Sequence, residues 1–175
     1  MIYPNIIKSI VDEISNSIAI NEKQVDTLYK AIDQAPHVFI IGAGRSLLMI
    51  KAFSMRLMHV GYQVFIVGEV TTPAIKKDDL LFIASGSGET IGLIDKAKRA
   101  KAIGAKVALI SKNGNSTLGK LADMVIEIPI AITTQPGASL FEQTLLITLD
   151  SIILYIINKK NQDLDIVYQK HANLE

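Results

Sequence analysis

Apolar residues along this chain alternate between two rhythms. Residues 5–19 place Ile6, Ile7, Ile10, Val11, Ile14 and Ile18 on one stripe, the spacing of an amphipathic helix. Asn21, with Gln24 three residues on, predicts a helix start, and Pro36 predicts its end after residue 35. Short apolar runs then appear at 37–41, 63–67, 80–84, 106–111 and 124–129. Each is too short for a helix and predicts a strand, and runs this continuously apolar suit strands buried on both faces. Between them lie helical stretches at 47–60, closed by Gly61, at 91–103, closed by Gly104, and a short one at 117–122. A long apolar stretch at 139–158 and a short one at 163–171 predict two further helices. Lys76, Lys77, Asp78 and Asp79 read as a solvated link.

Strands alternating with helices predict a parallel sheet covered on both faces, an α/β fold in three layers. We expect a three-layer α/β/α sandwich with a five-stranded parallel sheet and two leading helices outside the alternating core. The chain reads as one domain: a helical extension at 1–35, an α/β core at 36–160 and a terminal helix at 161–175. Ligands in such folds sit at the carboxyl ends of the strands, where strand order reverses, so the turns after the first and third strands and the loop before the long helix are the site candidates. The long helix around Leu145, Leu149, Ile152 and Ile156 has little polar face, yet Glu142 and Asp150 interrupt it. It reads as a buried helix and not as a membrane span, with part of its cover supplied by another subunit.

Composition narrows the function classes. The 175 residues are 49% hydrophobic and 20% charged, which suits a well-packed soluble domain. Net charge is +1, and no basic cluster is interleaved with aromatics, so we expect no nucleic-acid partner. There is no cysteine, which excludes disulfides, thiolate metal sites and cysteine nucleophiles. Three scattered histidines give no metal-ligand spacing, and we expect no metal and no cofactor. The first residues lack a basic leader followed by a long apolar core, so a cytoplasmic protein is expected.

The chemistry concentrates after the third strand. There the apolar run ends in Ser85-Gly86-Ser87-Gly88-Glu89-Thr90, and a helix follows. Glycines, hydroxyls and the free N–H groups of a helix start make a neutral-donor cradle for an anion, a phosphate above all. The plain alternative is a Ser/Gly-rich turn joining strand to helix. After the first strand, Gly42-Ala43-Gly44-Arg45-Ser46-Leu47 resembles a dinucleotide fingerprint but carries Leu47 where the third glycine belongs. It reads better as a second loop-to-helix turn, with Ser46 as a hydroxyl donor and Arg45 as a charged contact to the anion or a surface residue. Glu142 has two readings: the closing member of a capping box begun by Ser139, or a general base. His59, near the end of the first core helix, is a packed residue or a proton-transfer group.

These stretches resemble the sugar isomerase (SIS) domain family, whose hallmark is the loop from Ser85 to Thr90. The segments Arg56-Leu57-Met58-His59, Val67-Gly68-Glu69 and Ser139-Leu140-Phe141-Glu142-Gln143 resemble more narrowly the 6-phospho-3-hexuloisomerases. The loop between Gln135 and Ser139 reads Pro-Gly-Ala, where that pattern has Pro-Met-Gly. The resemblance implies a flavodoxin-like sheet and a homotetramer. It also implies interconversion of 3-hexulose 6-phosphate and fructose 6-phosphate on the ribulose monophosphate route. It assigns Ser46 and Ser85, Gly86, Ser87, Gly88, Glu89 and Thr90 to the sugar phosphate, and Glu142 to proton transfer. His59 is implied as a second proton-transfer or ring-opening group, reaching a neighbouring subunit's site. Two other readings stand beside it: a non-catalytic sugar-phosphate sensor, and an isomerase of another phosphosugar.

Overall fold

The structure is a computed structural model, and it describes residues 2–130 and 132–174. Two helices, α1 (Tyr3–Ser17) and α2 (Glu22–Gln34), precede β1 (Val38–Gly42), α3 (Gly44–His59) and β2 (Val64–Ile66). Then follow β3 (Leu80–Ala84), α4 (Ile91–Ile103), β4 (Lys106–Ser111), α5 (Thr117–Leu121) and β5 (Met124–Glu127). The chain closes with α6 (Ser139–Lys160) and α7 (Leu164–Tyr168). The predicted elements are all present. Their ends differ by a few residues: α3 begins three residues earlier than predicted, β5 stops two earlier, and α7 is shorter at both ends.

All five strands are parallel, in the order β2-β1-β3-β4-β5. Strand order therefore reverses between β1 and β3, the neighbours at the switch point. Side chains alternate across the pleat. Val38, Ile40, Leu80, Phe82, Ala108 and Ile110 join Ile32 of α2, Phe53 of α3 and Leu149 of α6 in one buried cluster. Phe39, Ile41, Leu81, Ile83, Val107 and Leu109 face the other way, against Leu93 and Ala97 of α4 and Leu118 of α5. These two clusters are the two interfaces of a three-layer sandwich.

Asp79 departs from the sequence expectation. It is buried and is not part of a solvated link. One oxygen accepts the Lys76 N–H at 2.7 Å and the other lies 3.0 Å from His37 Nδ1. It closes a turn beside the amino ends of β1 and β3, where a buried carboxylate needs such partners. The leading helix departs too: Ser17 is the one buried residue in α1, and Ile6, Ile7 and Val11 stay exposed.

Candidate active site

Register puts the two candidate loops side by side. Gly42 pairs with Ala84, and Ala84 with Ile110, so β1, β3 and β4 release their chains at one level. A cavity of about 590 Å³ opens there. Its lining includes Arg45, Ser46, Ser85, Gly86, Ser87 and Thr90. The opposite wall is the loop before α6 and its first turn, with Thr133, Leu140, Phe141 and Glu142.

The loop after β3 is shaped by its own hydrogen bonds. The Gly88 N–H donates to Ser85 Oγ at 3.2 Å, and the Glu89 N–H to Ser87 Oγ at 3.2 Å. Such side-chain-to-backbone bonds fix a turn without a backbone ladder. Gly86 lies under the Phe141 ring, where an added Cβ would stand 3.2 Å from the nearest ring carbon. Thr90 caps α4 without a side-chain hydrogen bond, so its hydroxyl is available at the cavity.

Glu142 is buried, 6% exposed, one turn into α6. The capping-box alternative does not hold. Ala138 is the N-cap and makes no side-chain cap bond. Ser139 Oγ donates instead to the Pro136 carbonyl at 2.8 Å and accepts from Arg45 Nη1 at 3.1 Å. The turn at Pro136 uses up the Ser139 hydroxyl, so it is not free to cap α6. Glu142 Oε2 lies 3.0 Å from Arg45 Nε, a charge contact without hydrogen-bond alignment, and the same oxygen has no hydrogen-bond partner in the structure. Glu142 thus presents a buried carboxylate with an unfilled lone pair to the cavity, beside the half-exposed Arg45 guanidinium.

Three residues singled out from the sequence lie elsewhere in this chain. Gly88 does not line the cavity: with φ at +69° it is buried against the N-cap of α5, and a Cβ there would collide with the Ser116 side chain. Glu89 turns outward and accepts the Thr117 N–H at 2.8 Å, and hydrogen bonding from Thr117 holds its carboxyl below the ordinary value. His59 is at the far end of α3 from Ser46, about 20 Å along the helix. It is buried there with Nδ1 unpartnered, its ring 4.1 Å from that of His171. Burial first, then His171 and Arg56, push its pKa down.

The cavity also holds residues that no motif indicated. Lys112, one residue past β4, stands at its edge, and Ile130, Ile132 and Thr133 form part of its wall. Strand-end register could have pointed to Lys112. The 130–133 wall belongs to the loop before the long helix, a site candidate from its place after the last strand, although no residue pattern singles out Ile130, Ile132 or Thr133 within it.

An open parallel sheet with a hydroxyl-lined loop at the switch point and a carboxylate across the cavity places the chain among the doubly wound α/β domains with a cleft at the strands' carboxyl ends. The chain belongs to the SIS domain family, which it matches over residues 31–154. It is 43% identical to the 3-hexulose-6-phosphate isomerase of Bacillus subtilis, across 97% of each chain. It is 39% identical to the Mycobacterium gastri protein of the same name, over 94% of this chain and 87% of that one. A solved Methanococcus jannaschii structure, inferred to be a 3-hexulose-6-phosphate isomerase, superposes with a TM-score of 0.87 at 35% identity, over 94% of this chain and 98% of that one.

Proposed function

We propose that the protein is a sugar-phosphate isomerase that interconverts D-arabino-3-hexulose 6-phosphate and D-fructose 6-phosphate through a cis-enediolate, the isomerase step of the ribulose monophosphate route. One observation carries this reading: a single cavity joins the hydroxyl-lined loop at the switch point to the buried carboxylate of Glu142. The relatives named for this reaction, similar over nearly the whole chain, support the substrate.

The chemistry follows from the groups at hand. The C2 proton of the 3-ketose is acidified by the neighbouring carbonyl. Glu142 removes it, and the electron pair moves to form the enediolate. The O2 hydroxyl proton passes to O3, and the same carboxylic acid returns a proton to C3, which leaves the carbonyl at C2 and a hydroxyl at C3. The reaction moves protons within one molecule and needs no electron carrier. Ser46, Ser85, Ser87 and Thr90, with backbone N–H groups of the loop from Ser85 to Thr90, hold the phosphate and so fix the reacting carbons against Glu142. Arg45 sits where its charge can meet the developing enediolate oxygen. A role for His59 in ring opening or proton transfer at a neighbouring subunit's cavity requires the His171 ring to move off it, since His59 is buried within this chain.

The test couples the purified protein to a hexulose-phosphate synthase supplied with ribulose 5-phosphate and formaldehyde, and follows fructose 6-phosphate. Product that requires this protein is expected. Glu142→Gln is expected to lose about 100- to 10,000-fold in turnover while still binding fructose 6-phosphate. No product from the wild type would overturn the reaction, and wild-type turnover in Glu142→Gln would overturn the base.

A further inference from the structure

We propose that Glu13, on the leading helix α1, is a positioning residue of the active site: it holds loop 133–135 in place as the wall against which the sugar phosphate binds. This rests on the sugar-phosphate reading above and extends it to a helix that contributes nothing to the sheet.

Four donors from three consecutive residues converge on this one carboxylate. Glu13 Oε2 accepts from Thr133 Oγ1 at 2.6 Å and from Gln135 Nε2 at 2.8 Å. Glu13 Oε1 accepts from Thr134 Oγ1 at 3.1 Å and from the Thr134 N–H at 3.3 Å. The Gln135 N–H donates to Thr133 Oγ1 at 3.0 Å, which ties the loop to itself. Between β5 and α6 the chain has no helix or strand, and Thr134 and Gln135 give their N–H groups to side chains and not to a backbone ladder. Glu13 is thus the anchor of the segment. Without it, three side chains and one N–H lose their partner together.

The anchored segment is continuous with the site. Thr133 lines the cavity, as do Gly137 and Ala138 just before α6. Between them, the Pro136 carbonyl accepts from Ser139 Oγ, and Ser139 accepts from Arg45, the cation beside Glu142. A shift of the loop therefore moves both the wall and the cation. Hydrogen bonds from Thr133 and then Gln135 pull the Glu13 carboxyl down to about 2, so it stays ionised at any working pH.

A binding-competent loop arrangement that is populated a fraction of the time weakens apparent affinity by that fraction. Bound substrate restores the arrangement, so saturated turnover changes little. Glu13→Ala is expected to raise KM for the sugar phosphate about tenfold, with kcat within about twofold, as for a loop correctly arranged about a tenth of the time. Glu13→Gln keeps one acceptor oxygen and is expected to raise KM about threefold. It serves as the second variant should the alanine variant fold poorly. A role confined to fastening α1 would lower Tm and leave KM at the wild-type value in both variants, and that result overturns the proposal. Amide hydrogen exchange in the free protein separates this failure from failure of the isomerase reading. Exchange at Thr134 and Gln135 is expected to speed up in Glu13→Gln whatever the substrate proves to be. Unchanged exchange there overturns the tie itself, whereas faster exchange in a protein that converts no sugar phosphate overturns the reaction and leaves the tie standing.

Discussion

Glycines 86 and 88 sit two positions apart in one loop and serve different ends. Gly86 lets the backbone pass under Phe141 at the cavity, whereas Gly88 turns the chain away toward α5. Its left-handed φ and the Ser116 side chain both oppose a Cβ. Gly88→Ala is expected to cost about 2–4 kcal/mol, from backbone strain plus overpacking, and to appear as a lower urea midpoint with an unchanged slope. The hydroxyls at Ser85, Ser87 and Thr90 were legible from residue type and position after an apolar run. The outward turn of Glu89 was not, because its partner is the N–H of Thr117, 28 residues along the chain.

Among elements, α6 and α1 show the two outcomes of reading an apolar helix. The α6 pattern has almost no polar face, and the structure buries Leu145, Leu149, Ile152 and Ile156 completely while Ile147 and Leu154 remain exposed. The α1 stripe is as regular, yet Ile6, Ile7 and Val11 stay uncovered within the chain. Periodicity states that a face is apolar; what covers it depends on neighbours that the stretch does not encode. The contact between the end of α3 and the segment after α7 makes a pH prediction. The pKa of His59 lies below its ordinary 6.5 in the folded state, lowered by burial and by His171 and Arg56. The unfolded chain therefore takes up more protons below pH 6.5 than the folded one. The contribution of His59 to stability is full above 6.5 and declines as pH falls through the folded pKa. Tm is expected to fall between pH 7.5 and 5, and the His59 ring signals followed by NMR should titrate below 6.5. Titration at or above 6.5 would contradict the burial of the ring.

At the scale of the molecule, several exposed apolar side chains lie on helical faces: Ile6, Ile7 and Val11 of α1, Leu48 and Met55 of α3, and Leu154 of α6. Uncovered apolar side chains on three helices are the reason that association with further copies is proposed. Light scattering at micromolar concentration is expected to give a multiple of 19.1 kDa, with the tetramer as the proposed state. A monomeric mass would exclude a supply of His59 from a neighbouring subunit.

The sequence by itself determined the layers, the parallel sheet and the two glycine-bearing turns, because strand and helix periodicity and local turn chemistry act within about a dozen residues. It also supplied Glu142, as a residue with two local readings. Tertiary structure removed the capping reading: the Pro136 turn takes the Ser139 hydroxyl, and Arg45, delivered from the other side of the switch point, meets the carboxylate. Tertiary structure alone brought Lys112 to the cavity, chose Thr133 from the loop before α6 as part of its wall, and set Glu13 against that loop. Residues about 120 positions apart meet only when the sheet order and the path of α6 fix where each helix lies, and no local pattern encodes that placement.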